Sequence, residues 1–374
     1  MESLTNNMSK QVHSLPALYR EQYIDLEPKT RKLLSIPEIF SVQEILITGC
    51  GDSFAAGLAT KHIFELLTGI PTRVVTAIEL SRFYESSQLG TSPNNPLIFC
   101  ISHSGNVARM EEATLRANKY GALTIGVTGN LDSKLGQAAQ KVLHMEIPKL
   151  NDAPGVRGYG VTLMALLLMA IRMGEVRGRY TMDVAMSYRE DIAIISDRLQ
   201  ENLLEIDKQM KELANEWQNF STFDFIGSGF DYAAAWYGYA KILEATGDAA
   251  MHINTEEWLH LNFFARNNEG IGTILVSNES NPALSRTNEV IKYIKQLKRP
   301  FLLINDEIRE GVNTLVVPKG DHEFTVILTQ FVPIALLASY LSVLKKEEYG
   351  RNCEGPWSFS QQGHAVTTSQ IIIK

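Results

Sequence analysis

Two short stretches place small hydroxyl side chains where a strand-like run gives way to a helix-like one: Gly49-Cys-Gly-Asp-Ser53 and Ser102-His-Ser-Gly105. Serine hydroxyls together with free backbone N–H groups at a helix start are the donor set a phosphate monoester needs. Ser102, His103 and Ser104 form one candidate loop, and Ser53 supplies a further hydroxyl from the other. A helix cap by Ser104 or Asn106 explains a single such loop equally well. Two hydroxyl-bearing loops on adjacent strand ends favour an anion site. A second set of candidates is Lys241, Glu244 and His260. Lys241 and Glu244 are three apart on a helix and share a face. Spacing alone reads them as an exposed ion pair, and His260 as a solvated or core histidine.

The elements that must position these residues repeat. Ile45 to Thr48 reads as a buried strand, Gly49, Gly51 and Ser53 as a tight turn, and Ala55 onward as a helix. Phe223-Asp-Phe-Ile-Gly-Ser-Gly229 opens a second copy, leading into a helix over residues 232–246. Each copy is followed, at nearly the same interval, by a strand ending in serine: Leu97 to Ser102 and Thr273 to Ser277. In the second copy the loop after that strand reads Ser277-Asn-Glu-Ser-Asn-Pro282, with a carboxylate where the first has Ser104, so it is not expected to hold phosphate. Further strands are expected at 72–77, 122–127, 141–147, 301–304 and 314–317. Helices are expected through 118, over 161–174 after a Gly-rich loop 154–160, and over 285–297 and 324–346. Alternating strands and helices call for parallel sheets covered on both faces, a doubly wound α/β class of flavodoxin-like type. The division predicted is a helical lead-in (1–34), a first domain (35–181), a helical connection (182–218) and a second domain with an ordered tail (219–374).

Composition narrows the function classes. With 374 residues, 45% hydrophobic and 21% charged, the chain is an ordinary globular sequence. A net charge of −7 and no clustered basic stripe argue against nucleic-acid binding. Residues 1–10 lack the apolar core of a signal peptide, and the apolar runs 163–171 and 332–344 fall short of the about 20 residues of a membrane span. The expected compartment is the cytosol. Cys50, Cys100 and Cys353 read as small core residues. The dinucleotide fingerprint lacks its third glycine, the nucleophile-elbow pattern lacks its closing glycine, and His252 and His260 do not make a zinc pair.

Taken together, Gly49-Cys-Gly-Asp-Ser53, Ser102-His-Ser-Gly105 and the duplicated unit resemble the sugar isomerase (SIS) domain. Two such domains in one chain resemble the isomerase half of glucosamine-6-phosphate synthase and the fructosamine-6-phosphate deglycases. Lys241-x-x-Glu244 followed by Glu257-x-x-His260 strengthens the resemblance, which extends over about residues 35–374. It implies that Ser53, Ser102, His103 and Ser104 hold a sugar phosphate, with Gly51 and Val156 contributing backbone. It implies that Glu244 moves a proton between sugar C1 and C2 beside Lys241. His260, by the same resemblance, assists ring opening or protonates the leaving group, reaching the site from the partner of a homodimer or a dimer of dimers. Such chemistry suits a buried carboxylate and requires no metal or organic cofactor. The chain departs from the family pattern at Val107 and Gly158, where a threonine and a serine are usual, and Arg157 is expected to compensate or to read a second anionic group. The tail Gly363-His-Ala-Val-Thr-Thr-Ser369 has threonine near the synthase's Schiff-base lysine, Lys374 falls too far along, and the Met-Glu-Ser start leaves no room for a glutaminase domain. A deglycase acting on a ketosamine phosphate is therefore the leading expectation. A phosphosugar isomerase or deaminase stands next to it, and a non-catalytic phosphosugar sensor is the reading of another class.

Overall fold

The computed structural model describes residues 4–90, 95–360 and 364–373. Gly363, Lys374 and the side chain of Cys353 lie outside what is described. The chain forms two compact units. One comprises residues 18–149, 158–193 and 353–374; the other comprises 1–17, 150–157 and 194–352. We call them the first and second units, after the order of their sheets.

The first unit holds five parallel strands: β1 (Ile45–Gly49), β2 (Thr72–Thr76), β3 (Leu97–Ile101), β4 (Leu123–Thr128) and β5 (Lys141–His144), in the order β2-β1-β3-β4-β5. The second holds β6 (Thr222–Ile226), β7 (Ala249–Ile253), β8 (Ile271–Val276), β9 (Phe301–Asn305) and β10 (Thr314–Val316), in the order β10-β9-β8-β6-β7. Counted within its own unit, each sheet runs 2-1-3-4-5, the flavodoxin-like order, with its switch point between the first and third strands. β1, β3, β4 and β8 are buried along their whole length, as a sheet covered on both faces demands.

Glycine fixes how each unit begins. The helix Asp52–Thr68 starts over the end of β1, and a Cβ on Gly49 would lie 2.6 Å from the Ser53 Cβ. A Cβ on Gly227 would lie 2.6 Å from the Asp231 carbonyl oxygen at the start of the helix Asp231–Ala245. Gly51 and Gly229 then take positive φ, 57° and 63°, which costs glycine nothing.

Several elements differ from the sequence reading. β7 has no counterpart in it: Ala-Ala-Met-His-Ile is a half-exposed edge strand without apolar alternation. The helix predicted over 161–174 begins at Arg157, because Gly158 and Gly160 sit inside its first turns. Gly160 is there for contact rather than for a turn, since a Cβ would approach the Tyr19 hydroxyl to 2.5 Å. The lead-in divides into helices Asn7–His13 and Leu15–Leu33, the first tied into the second unit by the Asn6 amide on the Ser339 carbonyl. The helix predicted over 324–346 is a 3-10 segment, Glu323–Leu328, followed by an α-helix, Phe331–Leu344. The apolar runs are not short of membrane-span length: Arg157–Val176 and Glu323–Leu344 reach it, with 83% and 94% of their apolar windows buried inside the structure. Cys100 is buried on β3, whereas Cys50 lies exposed in the turn after β1. The tail is ordered against its own unit: the Ile372 N–H donates to Glu112 and the Thr367 carbonyl accepts from Lys134.

Gly49→Ala is expected to destabilise the chain by about 1–3 kcal/mol, the range for forced overpacking. Urea unfolding of the variant against the parent checks this.

Candidate functional site

One group of candidate residues is built at the carboxyl edge of the first sheet. Gly49 and Ile101 are register partners on adjacent strands, so the turn 50–53 and the loop 102–105 emerge side by side at the switch point. Neither following helix is capped by a side chain: Asp52–Thr68 has Gly51 at its N-cap and Ala108–Lys119 has Val107. Two helix starts left without side-chain acceptors on neighbouring strands suit an anion. The capping alternative fails on geometry, since Ser104 Oγ accepts from the Asn106 N–H at 3.4 Å, outside the helix. Ser102 is buried and its Oγ accepts from the Gly105 N–H at 3.1 Å, while His103 and Ser104 are exposed. Gly105 takes φ 68°, and a Cβ there would strike Ser133 Oγ. The loop is pinned below by the Gly129 N–H donating to the His103 carbonyl at 2.9 Å. A Cβ at Gly158 would stand 3.4 Å from His103 Cγ, an ordinary contact distance, so this position faces the His103 ring.

A separate group of candidate residues lies on the second unit. Lys241 is 0% exposed, and its Nζ donates to Glu244 Oε2 at 2.5 Å, with the Tyr237 ring 5.1 Å from the ammonium. This is not the exposed pair that spacing allowed. A fully buried ammonium must find its compensation inside the protein. The Glu244 side chain, 36% exposed, reaches solvent on its other side. The Tyr237 hydroxyl donates to the Gly155 carbonyl at 2.8 Å, tying the loop that carries buried Val156 and half-buried Arg157 to the Lys241 helix. Sequence reasoning missed Tyr237, which carries no motif of its own.

His260 ends the short helix Thr255–His260, 65% exposed, with Nε2 3.2 Å from Glu256 Oε1. Its segment is held by a buried network that spacing did not suggest. Asp224 on β6 accepts from Trp258 Nε1 at 2.9 Å, Asn262 Nδ2 at 2.8 Å and Arg299 Nη1 at 2.8 Å. Arg299 also donates to the Asn262 carbonyl at 2.6 Å. A charged residue in the middle of the apolar run Phe-Asp-Phe-Ile was the available signal.

The second unit repeats the same turn and loop with different residues. Asp231 occupies the place of Ser53, fully buried at the start of its helix. Asn278 donates to both its oxygens (3.0 and 2.8 Å), Asn281 to one at 2.7 Å and Gln330 to the other at 2.6 Å. Burial pushes its carboxyl up to about 6, against the lowering effect of the three amides. Glu279, in the place of Ser104, pairs with Arg309, whose guanidinium holds its carboxyl low. Among the described residues no three His, Cys, Asp or Glu side chains are grouped to hold a metal.

Residues 38–172 match the family model of the SIS domain. The chain is 28% identical over 243 residues to glutamine–fructose-6-phosphate aminotransferase (isomerizing) of Clostridium tetani, covering 63% of this chain and 39% of that one. The chain spans about half the length, or less, of the curated relatives it matches. Among solved structures, the C-terminal domain of glucosamine-fructose-6-phosphate aminotransferase from Francisella tularensis superposes with a TM-score of 0.82 at 16% identity, over 92% of this chain and 98% of that one. Glucosamine-6-phosphate deaminase from Thermotoga maritima gives 0.68 at 15%, over 90% and 94%.

Two outcomes are expected from these networks. Arg299→Met, which strands a buried carboxylate, should cost about 3–5 kcal/mol of stability by urea unfolding. For Asp231, a native value of about 6 lies above the ordinary 3.8, so the native chain keeps a proton that the unfolded chain releases across that window. Its contribution to stability therefore falls as pH rises from about 4 to about 6 and is flat above. Melting temperature measured against pH should show that slope, and Asp231→Asn should remove it.

Proposed function

We propose that this chain, whose fold is that of two tandem SIS domains, is a phosphosugar-processing enzyme that releases an amine from a fructosamine 6-phosphate. The observation that carries the reading is the pair Lys241–Glu244: a fully buried ammonium bonded to a carboxylate whose side chain is 36% exposed. In the first unit, Ser53, Ser102, His103 and Ser104 lie around two helix starts without side-chain caps and are assigned to the sugar phosphate, with the Gly51 N–H. Val156 and Arg157 border the substrate from the loop that Tyr237 ties to the Lys241 helix.

In this mechanism Glu244 takes the proton from C1 of the ketosamine, and the C1–H electrons form a C1–C2 double bond. Lys241 stabilises the negative charge that develops on the C2 oxygen. The proton returns at C2, the amine N–H proton passes to the C2 oxygen, and an imine remains at C1. Water adds to C1, the C1–N bond breaks, and the amine departs with a proton from His260. A hexose 6-phosphate and a free amine result. The tail has threonines, Thr367 and Thr368, near the position of the family's Schiff-base lysine, which favours release of an amine over its transfer. In this proposal His260, exposed on its own subunit, completes the site of a partner in a homodimer.

Mass spectrometry of products tests the reading on two substrate sets. Free amine from fructosamine 6-phosphates alone supports it. Conversion confined to glucosamine 6-phosphate or fructose 6-phosphate replaces it with a deaminase or isomerase, and binding without turnover of either set replaces it with a sensor. Glu244→Gln should lower kcat by at least about 100-fold while phosphosugar binding persists. Mixing Glu244→Gln with His260→Ala subunits should recover about a quarter of parental activity if the sites are shared across a two-fold dimer. No recovery would place both groups in one subunit.

A further inference from the structure

The two units carry the same turn, and its occupants differ. Gly49 lies under Ser53 and Gly227 under Asp231, at the same closeness of approach. The neighbouring loops correspond likewise, since Ile226 of β6 pairs with Leu275 of β8 as Thr48 of β1 pairs with Cys100 of β3. In the first unit, hydroxyls and helix-start amides line this place. In the second, amides from the loop after β8 (Asn278, Asn281) and from Gln330 converge on a carboxylate with no exposed surface.

We propose that the second unit's loop is an anion cradle already filled by the chain's own carboxylate, Asp231, which closes that unit to phosphosugar and leaves one such site per chain. Four hydrogen bonds from three amides, aimed at two oxygens, are the donor pattern that recognises a free oxyanion. Here the anion is covalently attached, so its ordering entropy is lost on folding rather than on binding. The charges around it are already matched: Glu279 pairs with Arg309, and Asp306, whose carboxylate accepts from the Glu279 N–H, pairs with Lys319. Removal of the Asp231 carboxylate would leave amide donors facing a space of anion size. Asp231→Ser reinstates the hydroxyl of the first unit and vacates that space.

The stoichiometry clause rests on the first unit being the phosphosugar site; the cradle itself does not. The test therefore has two arms. In the first, Asp231→Ser is made in a Ser102→Ala background, which disables the first loop, and is compared with Ser102→Ala alone. In chloride the double variant should melt several degrees lower, and inorganic phosphate at matched ionic strength should recover most of that loss without shifting the single variant comparably. Equal behaviour in phosphate and chloride would overturn the cradle, as would a double variant that fails to fold in both. In the second arm, titration calorimetry of the unaltered protein with a hexose 6-phosphate should give one equivalent per chain. Two equivalents would overturn the proposal, whereas none would fault the first-unit reading and leave the first arm to decide.

Discussion

At the end of β1 and again at the end of β6 the chain turns from strand to helix within a few residues, and the start of the helix passes directly over the strand's last residue. No side chain fits beneath that crossing, so both positions are glycine, Gly49 and Gly227. The same crossing aims each helix N-terminus at the carboxyl edge of a parallel sheet, beside the loop from the next strand in register. The chemistry proposed for each unit follows from that placement. Backbone donors and a helix dipole converge there whatever side chains are nearby, and the units differ in what meets them.

In the first unit the donors lie beside serine hydroxyls; in the second they meet Asp231. A donor-lined pocket at a helix start is costly to leave empty and buried. A duplicated unit can keep its ligand, collapse, or supply an acceptor from its own chain. The amides on Asp231 follow the last course. The second unit then has its next helix face available for different groups, and there Lys241 is buried against Glu244 and Tyr237. Its short segment ending in His260 is held by Asp224, Trp258 and Arg299, a network whose value lies in position, since the pair is buried without exposure on either side.

Much of this architecture was legible in the chain. The strand-turn-helix units, their repetition and the hydroxyl loops follow from apolar runs broken by glycine, because a buried parallel strand has to be apolar throughout and a strand-to-helix crossing has to be small. The reading faltered where exposure or contact rather than periodicity governed. β7 is a half-exposed edge strand with no alternation. Gly158 and Gly160 signalled a turn yet lie within a helix, where Gly160 is small because Tyr19 approaches it. Cys50, read as a small core residue, stands exposed in the turn after β1.

The sequence by itself determined the duplicated α/β class, the glycine turns and the hydroxyl residues of the first loop, since local sterics and burial impose these on neighbouring residues. Which ionisable groups carry weight was decided only in three dimensions. Lys241 and Glu244 three apart describe any surface pair until the core closes around the ammonium and leaves the carboxylate partly open. Asp231 is an ordinary helix-start aspartate until Asn278, Asn281 and Gln330, distant in the chain, bring their amides to it. Tyr237 and Arg299 acquire roles through partners that no spacing predicts. Desolvation and hydrogen-bond convergence depend on what the whole unit places around a group, and that is settled only when its sheet and helices have assembled.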